Sequence, residues 1–310
     1  MERYKHLNNY LKEKFGERTL KICIDGGFTC QNRDGTSGYG GCIFCSEKGS
    51  GEHIHSTDNI SMQVENYFKS YKAERANRFI AYFQNFTNTY DSITNLKAKY
   101  DAALIDDRIV ALAVATRPDC INEDVVRLLK SYTNKYHVWI ELGLQTSNDD
   151  TAKLINRCYT SAEFTQAVEL LNKYNIDVVT HIMVGLPGES HEDIINTVDF
   201  INKHHIQGLK IHSCYVIKNT VLANMYQEGK YSPLSLDEYL KSTAYILTHI
   251  NPNIVIHRVS GDAPKDLLLA PDWNLHKKWI INGLDKMMRE EDLYQGMYWK
   301  GNSVNGDGAK

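Results

Sequence analysis

The chain is 310 residues long, which fits one large α/β barrel or two ordinary domains. Its 42% hydrophobic and 24% charged residues are those of a globular protein and exclude disordered, collagen-like and repeat architectures. The 35 basic and 38 acidic residues leave a net charge of −3, so any pull on nucleic acid has to be local. The longest apolar run, Ile109–Ala115, is far short of the ~18–20 residues of a membrane span.

Residues 1–19 read as an N-terminal extension. Residues 1–21 carry six Lys or Arg against three Glu, and no apolar stretch follows the first charges, so a cytoplasmic protein without a secretory signal is expected. Seven apolar runs then read as strands: Leu20–Ile24, Phe79–Phe83, Ile109–Ala115, His137–Leu142, Asp177–Val184, Leu209–His212 and Ile254–Val259. Between them lie helical patterns such as Phe164, Ala167, Val168, Leu171. Strands alternating with helices imply βαβ units and a parallel sheet. No Gly-x-Gly-x-x-Gly turn follows the first run, so the expected α/β fold is a partial (βα)6 barrel of TIM type over residues 20–264. Residues 265–310 hold three of the four Trp and a helical pattern around Leu275–Met288, then a tail expected to be mobile.

In such barrels the site is built by the loops after the strands. The loop after the first strand, Asp25–Ser56, carries Cys30, Cys42 and Cys45, a Cys-x11-Cys-x2-Cys set preceded at Cys42 by Gly40-Gly41. Seven cysteines in a chain that looks cytosolic argue for metal or catalytic thiols over disulfides. Three thiols leave one position of a metal centre for chemistry; the alternative on spacing alone is zinc, with His53 or His55 as fourth ligand. Cys23, Cys120, Cys158 and Cys214 are expected to be small buried hydrophobes.

The loop Cys30…Gly41-Cys42-Ile43-Phe44-Cys45 resembles the cluster loop of radical S-adenosylmethionine (SAM) enzymes. Its first gap is longer than the common three residues. With Glu141-Leu142-Gly143-Leu144-Gln145, Asn156-Arg157, Val184-Gly185-Leu186-Pro187-Gly188 and Arg258…Asp262-Ala263-Pro264, it resembles the Elongator catalytic subunit class, in particular short bacterial members lacking the acetyltransferase domain. The resemblance covers about residues 20–270. It implies a 4Fe–4S cluster on Cys30, Cys42 and Cys45, with SAM on its open iron. It further implies SAM contacts from Phe44, from Thr87-Asn88-Thr89 at the second strand end, and from Glu141, Gln145, Arg157, His181 and Met183. Thr87-Asn88-Thr89 stands where the superfamily often has Gly-Gly-Glu.

Each assignment has a plainer alternative. Thr89 could cap the helix starting near Asp91, Glu141 could pair with Arg117, and His181 could be a core histidine. Arg258 and Asp262, substrate-contact candidates at the barrel mouth, could simply pair with each other. The resemblance implies reductive SAM cleavage, an electron donor such as flavodoxin or ferredoxin, and an RNA base, specifically a tRNA wobble uridine, as substrate. Competing readings are a radical SAM enzyme acting on a small metabolite or peptide, and a zinc-stabilised RNA-binding module. Two basic groups could bind RNA: Arg3, Lys5, Lys12, Lys14, Arg18 and Lys21, or Lys277, Lys278, Lys286 and Arg289 near Trp273 and Trp279.

Overall fold

A run such as Ile109–Thr116 has no polar face, so it is stable only as a strand covered on both sides. A computed structural model, describing residues 2–49, 51, 54 and 57–301, places it in the interior of a parallel sheet. The strands are β1 (Thr19–Ile24), β2 (Arg78–Phe83), β3 (Ile109–Thr116), β4 (His137–Gln145), β5 (Asp177–Val184), β6 (Gly208–Ser213), β7 (Val216–Ile217), β8 (Val255–Arg258) and β9 (Leu268–Ala270). Seven pair in parallel, in the order β1-β2-β3-β4-β5-β6-β8; β7 and β9 form a separate antiparallel pair that the sequence did not announce.

The sheet is curled. Lys210 on β6 donates to the Tyr82 hydroxyl on β2 across 3.0 Å. On a flat sheet those strands would stand roughly 19 Å apart. The concave side is therefore the inside of a partial barrel, and among the described residues β1 and β8 do not pair to close it. On the convex side, helices such as Ser161–Lys173 and Leu236–His249 bury Phe164, Leu171, Tyr239 and Leu247 against Ile140, Leu142 and Val178.

The N-terminal segment forms the barrel floor. Helix Leu7–Phe15, ended by Gly16 at φ 78°, packs Leu11 among Ile80, Ala111, Trp139 and Val179 at the N-terminal ends of the strands. The Lys5 carbonyl accepts from the Ile256 N–H at 2.8 Å, tying this segment to the free edge of β8. Helix Lys277–Glu290 buries Ile280, Leu284 and Met288 and runs from mouth to floor: Lys277 pairs with Asp262 just beyond β8, whereas Asp292 pairs with Arg3. The tail from residue 302 lies outside the described residues, and no helix is long and apolar enough to cross a membrane.

Candidate active site

The loop after β1 is tied down by backbone bonds. Ile43 donates to the Ile155 carbonyl at 3.1 Å and accepts from the Leu222 N–H at 3.0 Å, while its side chain is buried with Ile155, Leu186 and Leu222. The Asn156 amide donates to the Gly41 carbonyl at 2.8 Å and the Tyr39 carbonyl at 3.1 Å, and Asn32 returns a bond to the Asn156 carbonyl. Gly40 and Gly41 both sit at φ 78°, a backbone that side-chain-bearing residues rarely adopt, so the Gly-Gly pair is conformational in origin. The outcome is three thiols at one end of the barrel. A hydrogen bond to Cys45, reinforced by burial, pushes the Cys42 thiol well up.

N–H donors point at these sulfurs. The Asn32 amide lies 3.8 Å from the Cys42 Sγ, and an Arg117 Nη lies 3.9 Å from the Cys30 Sγ. The rest of Arg117 is held by Asp119, at 2.9 and 2.6 Å. Among the described residues, no three His, Cys, Asp or Glu side chains close on a single metal ion, and His53 and His55 lie outside the described residues. N–H donors aimed at cysteine sulfur suit an iron–sulfur cluster, whose potential is tuned by such hydrogen bonds. Of the remaining cysteines, Cys120 and Cys214 are buried as expected. Cys23 and Cys158 are exposed instead: Cys23 lies on the concave face of β1, and Cys158, at φ 61°, sits against Asn32 beside the cluster loop.

The expected contact residues sit in different surroundings. Thr87, Asn88 and Thr89 are all buried, and the Thr87 Oγ1 and Asn88 Oδ1 lack hydrogen-bond partners. Thr89 bonds Thr116 at 2.6 Å and the Cys120 carbonyl at 2.9 Å, and the helix cap is Ser92. Arg157 is 0% exposed and makes five hydrogen bonds: to the carbonyls of Leu144, Thr146 and Tyr159 (twice) and to Asp149. A guanidinium has five N–H groups, so this fork is fully engaged by the end of β4. Gln145 is half-buried at φ 61°, and its Oε1 is buried without a partner, the mark of an atom that needs one. Phe44 and Met183 pack on the apolar cluster under the cysteine loop. After β5, the turn Gly185–Gly188 leads to Glu189, whose carboxyl burial pushes up to about 7 and whose Oε1 also lacks a partner.

Glu141 does not end its strand. β4 continues to Gln145, because Gly143 and Leu144 stay extended, and Glu141 sits mid-strand inside the barrel. Its partner is not Arg117. The carboxylate accepts from Lys210, Lys21 (3.5 Å), Tyr82 (2.7 Å), His181 (2.9 Å) and the Trp139 indole (3.2 Å). Burial alone would raise this carboxyl, but Lys210, Lys21 and His181 outweigh it and hold it well below the usual range. His181 is pushed down to about 4, by burial first and then by Lys210. At the rim Arg258 and Asp262 do pair, at 2.9 Å, and Asp262 also takes Lys277 at 3.2 Å.

A curled parallel sheet with a three-cysteine loop at its mouth is the architecture of one enzyme class, and the sequence agrees. The radical SAM superfamily matches residues 38–201 and the radical SAM C-terminal domain residues 206–290. The chain belongs to the radical SAM superfamily, whose members bind a 4Fe–4S cluster and SAM and cleave SAM reductively. It is 36% identical over 301 residues to the YtqA protein of Bacillus subtilis (strain 168), covering 96% of this chain and 94% of that one. It is 32% identical over 167 residues to the tRNA uridine(34) acetyltransferase of Dehalococcoides mccartyi, covering 53% of this chain and 36% of that enzyme. The archaeal Elp3 of Methanocaldococcus infernus, 17% identical, shares the fold with a TM-score of 0.67 over 89% of this chain and 64% of its own.

Proposed function

We propose that this enzyme uses SAM cleavage to modify a base of tRNA. The supporting observation is the 32% identity to a tRNA uridine(34) acetyltransferase over 167 residues, 53% of this chain. Cys30, Cys42 and Cys45 would hold the 4Fe–4S cluster, with Asn32 and Arg117 donating to their sulfurs. When bound, cluster and SAM supply a one-electron cleavage of a carbon–sulfur bond and a 5′-deoxyadenosyl radical that takes hydrogen from the substrate.

The chain's own residues position and shield. Gln145 brings its unpartnered Oε1 to the cofactor side of the mouth. Phe44 and Met183 cover the apolar side, and Asn156 and Arg157 fix the loop and strand end on which these groups stand. Thr87 Oγ1 and Asn88 Oδ1, buried without partners at the second strand end, would face SAM there, and Thr89 and Glu141 order the surface from behind. His181, bonded to Glu141, faces the interior on the same side of β5 as Met183. RNA would approach the rim, where Arg258, Lys277 and Lys278 lie beside the exposed, His276-stacked Trp279; of the N-terminal basic group, Lys21 points into the barrel and the others lie at the floor, away from the chemistry. The electron would come from a small donor such as flavodoxin or ferredoxin.

The test compares nucleosides of tRNA from cells with and without the gene, then incubates anaerobically reconstituted enzyme with SAM, reductant and tRNA from the deletion strain. A nucleoside that changes in the cells and is converted in vitro is the expected result. Identical nucleoside profiles, with no salt-dependent tRNA binding at ~100 mM salt, would transfer the reading to a metabolite or peptide substrate.

A further inference from the structure

The interior of the barrel holds more positive donors than its one saturated carboxylate can use. Glu141 already accepts from five groups, against about four lone-pair positions on a carboxylate. Two of the five are ammonium groups with three N–H each, so spare donors remain on Lys21 and Lys210. Arg258, the register partner of Lys210, acts on the same interior from β8, and its own carboxylate partner, Asp262, is shared with Lys277. His212, two residues beyond Lys210 on the same face of β6, lies with its ring 5.1 Å from that of His181, and its Nε2 is buried without a partner. His257 likewise keeps a buried Nδ1 without one.

A structural ion pair would balance its charges. Here three cations and three imidazoles face Glu141 and, at the rim, Asp262, which Lys277 shares. Burial, followed by His181 and then by Arg258 and Lys210, pushes His212 well down, and burial pushes Lys210 down to about 7 despite the attraction of Glu141. Such an interior is short of negative charge. It is also reachable, since Cys23 is exposed on the concave face and the Lys21 and His181 side chains keep 23% and 20% of their surface.

We propose that Lys21, Lys210, His212 and Arg258 form an oxyanion site for a carboxylate or phosphate carried by the part of the substrate that enters the barrel. The inference rests on the barrel being the reaction chamber, not on the substrate being RNA. Glu141 then serves as the fixed counter-charge that holds Lys21, Lys210 and His181 in position.

The experiment titrates reconstituted holoenzyme, with SAM present so that the cofactor's own carboxylate is already seated, using sodium acetate, inorganic phosphate and neutral acetamide at constant ionic strength, followed by calorimetry. Saturable binding of an anion and none of acetamide is expected. Lys21→Gln and His212→Gln should each weaken that binding by about tenfold. Lys21→Arg, which keeps the charge, should retain it, separating a lost contact from a damaged fold. Preference for acetate assigns the site to a substrate carboxylate, and preference for phosphate assigns it to a phosphoryl group. Failure of both anions to saturate, or wild-type affinity in both Gln variants, overturns the proposal. The RNA reading fails separately, if enzyme that binds the anion shows no response of SAM cleavage to tRNA.

Discussion

The two faces of β4 solve opposite problems with alternate residues of one segment. Outward, Val138, Ile140, Leu142 and Leu144 join the apolar layer beneath the helices. Inward, Trp139, Glu141, Gly143 and Gln145 build a polar interior. The outer face is stabilised by area removed from water, about 25 cal/mol per Å2. The inner face buries charge, which is costly unless every group finds partners, and replacing such clusters with apolar residues is often neutral or stabilising. A fold that keeps Lys210, Glu141 and His181 inside its barrel is shaped by what the barrel must hold.

Substitutions can sharpen that contrast. The largest effect is expected at the mouth: Cys42→Ala, like Cys30→Ala or Cys45→Ala, should abolish the brown colour, the iron content and SAM cleavage, whereas Cys23→Ala should keep the iron. Next come paired substitutions on β4. Glu141→Leu strands two ammonium groups and should cost about 3–5 kcal/mol in denaturant unfolding. Ile140→Ala should cost about 2–5 kcal/mol. Only the first should lower turnover per folded, cluster-loaded molecule; equal loss of turnover in both would erase the division between faces. Gln145→Ala should weaken SAM binding by about tenfold while leaving the unfolding midpoint unchanged.

The smallest effect is a pH dependence. Glu189 has a folded pKa of about 7 against an ordinary 4.5, so the folded chain retains a proton that the unfolded chain releases between those values. Its contribution is complete below about pH 4.5 and is lost as pH rises through about 7. Glu189→Gln, which imitates the protonated group, should change little at pH 5 and raise Tm by roughly 2–4 °C at pH 8.

The outer face was legible and the inner one was not, for a physical reason. Apolar runs report burial, and all seven strands of the main sheet lie on runs read from the sequence, within a few residues. The exception, the extension of β4 from Leu142 to Gln145, was hidden because Gly143 looks like a break and Gln145 takes a left-handed backbone. The cysteine loop was legible through its spacing. Partner identity was not, because it depends on curl. Lys210 and Lys21 meet Glu141 only when β6 and β1 bend towards β4, and no local pattern reports that. Arg157 was visible as part of a motif, yet its five internal bonds follow from the turn Asn156–Tyr159, whose left-handed Asn156 and Cys158 leave no periodic signal.

The clamp on Ile43 bears on how the enzyme is matured in the cell. Both backbone groups of this residue, between two cysteines, are engaged by segments on other parts of the barrel, and its side chain is sealed in an apolar cluster. The polypeptide therefore sets the loop's shape, unlike small zinc domains in which metal and folding arrive together. Loading iron and sulfide becomes a delivery to a loop already anchored at Ile43. Freshly synthesised chains should resist proteolysis as a stable pool awaiting the assembly machinery, so that iron scarcity limits activity without clearing the protein.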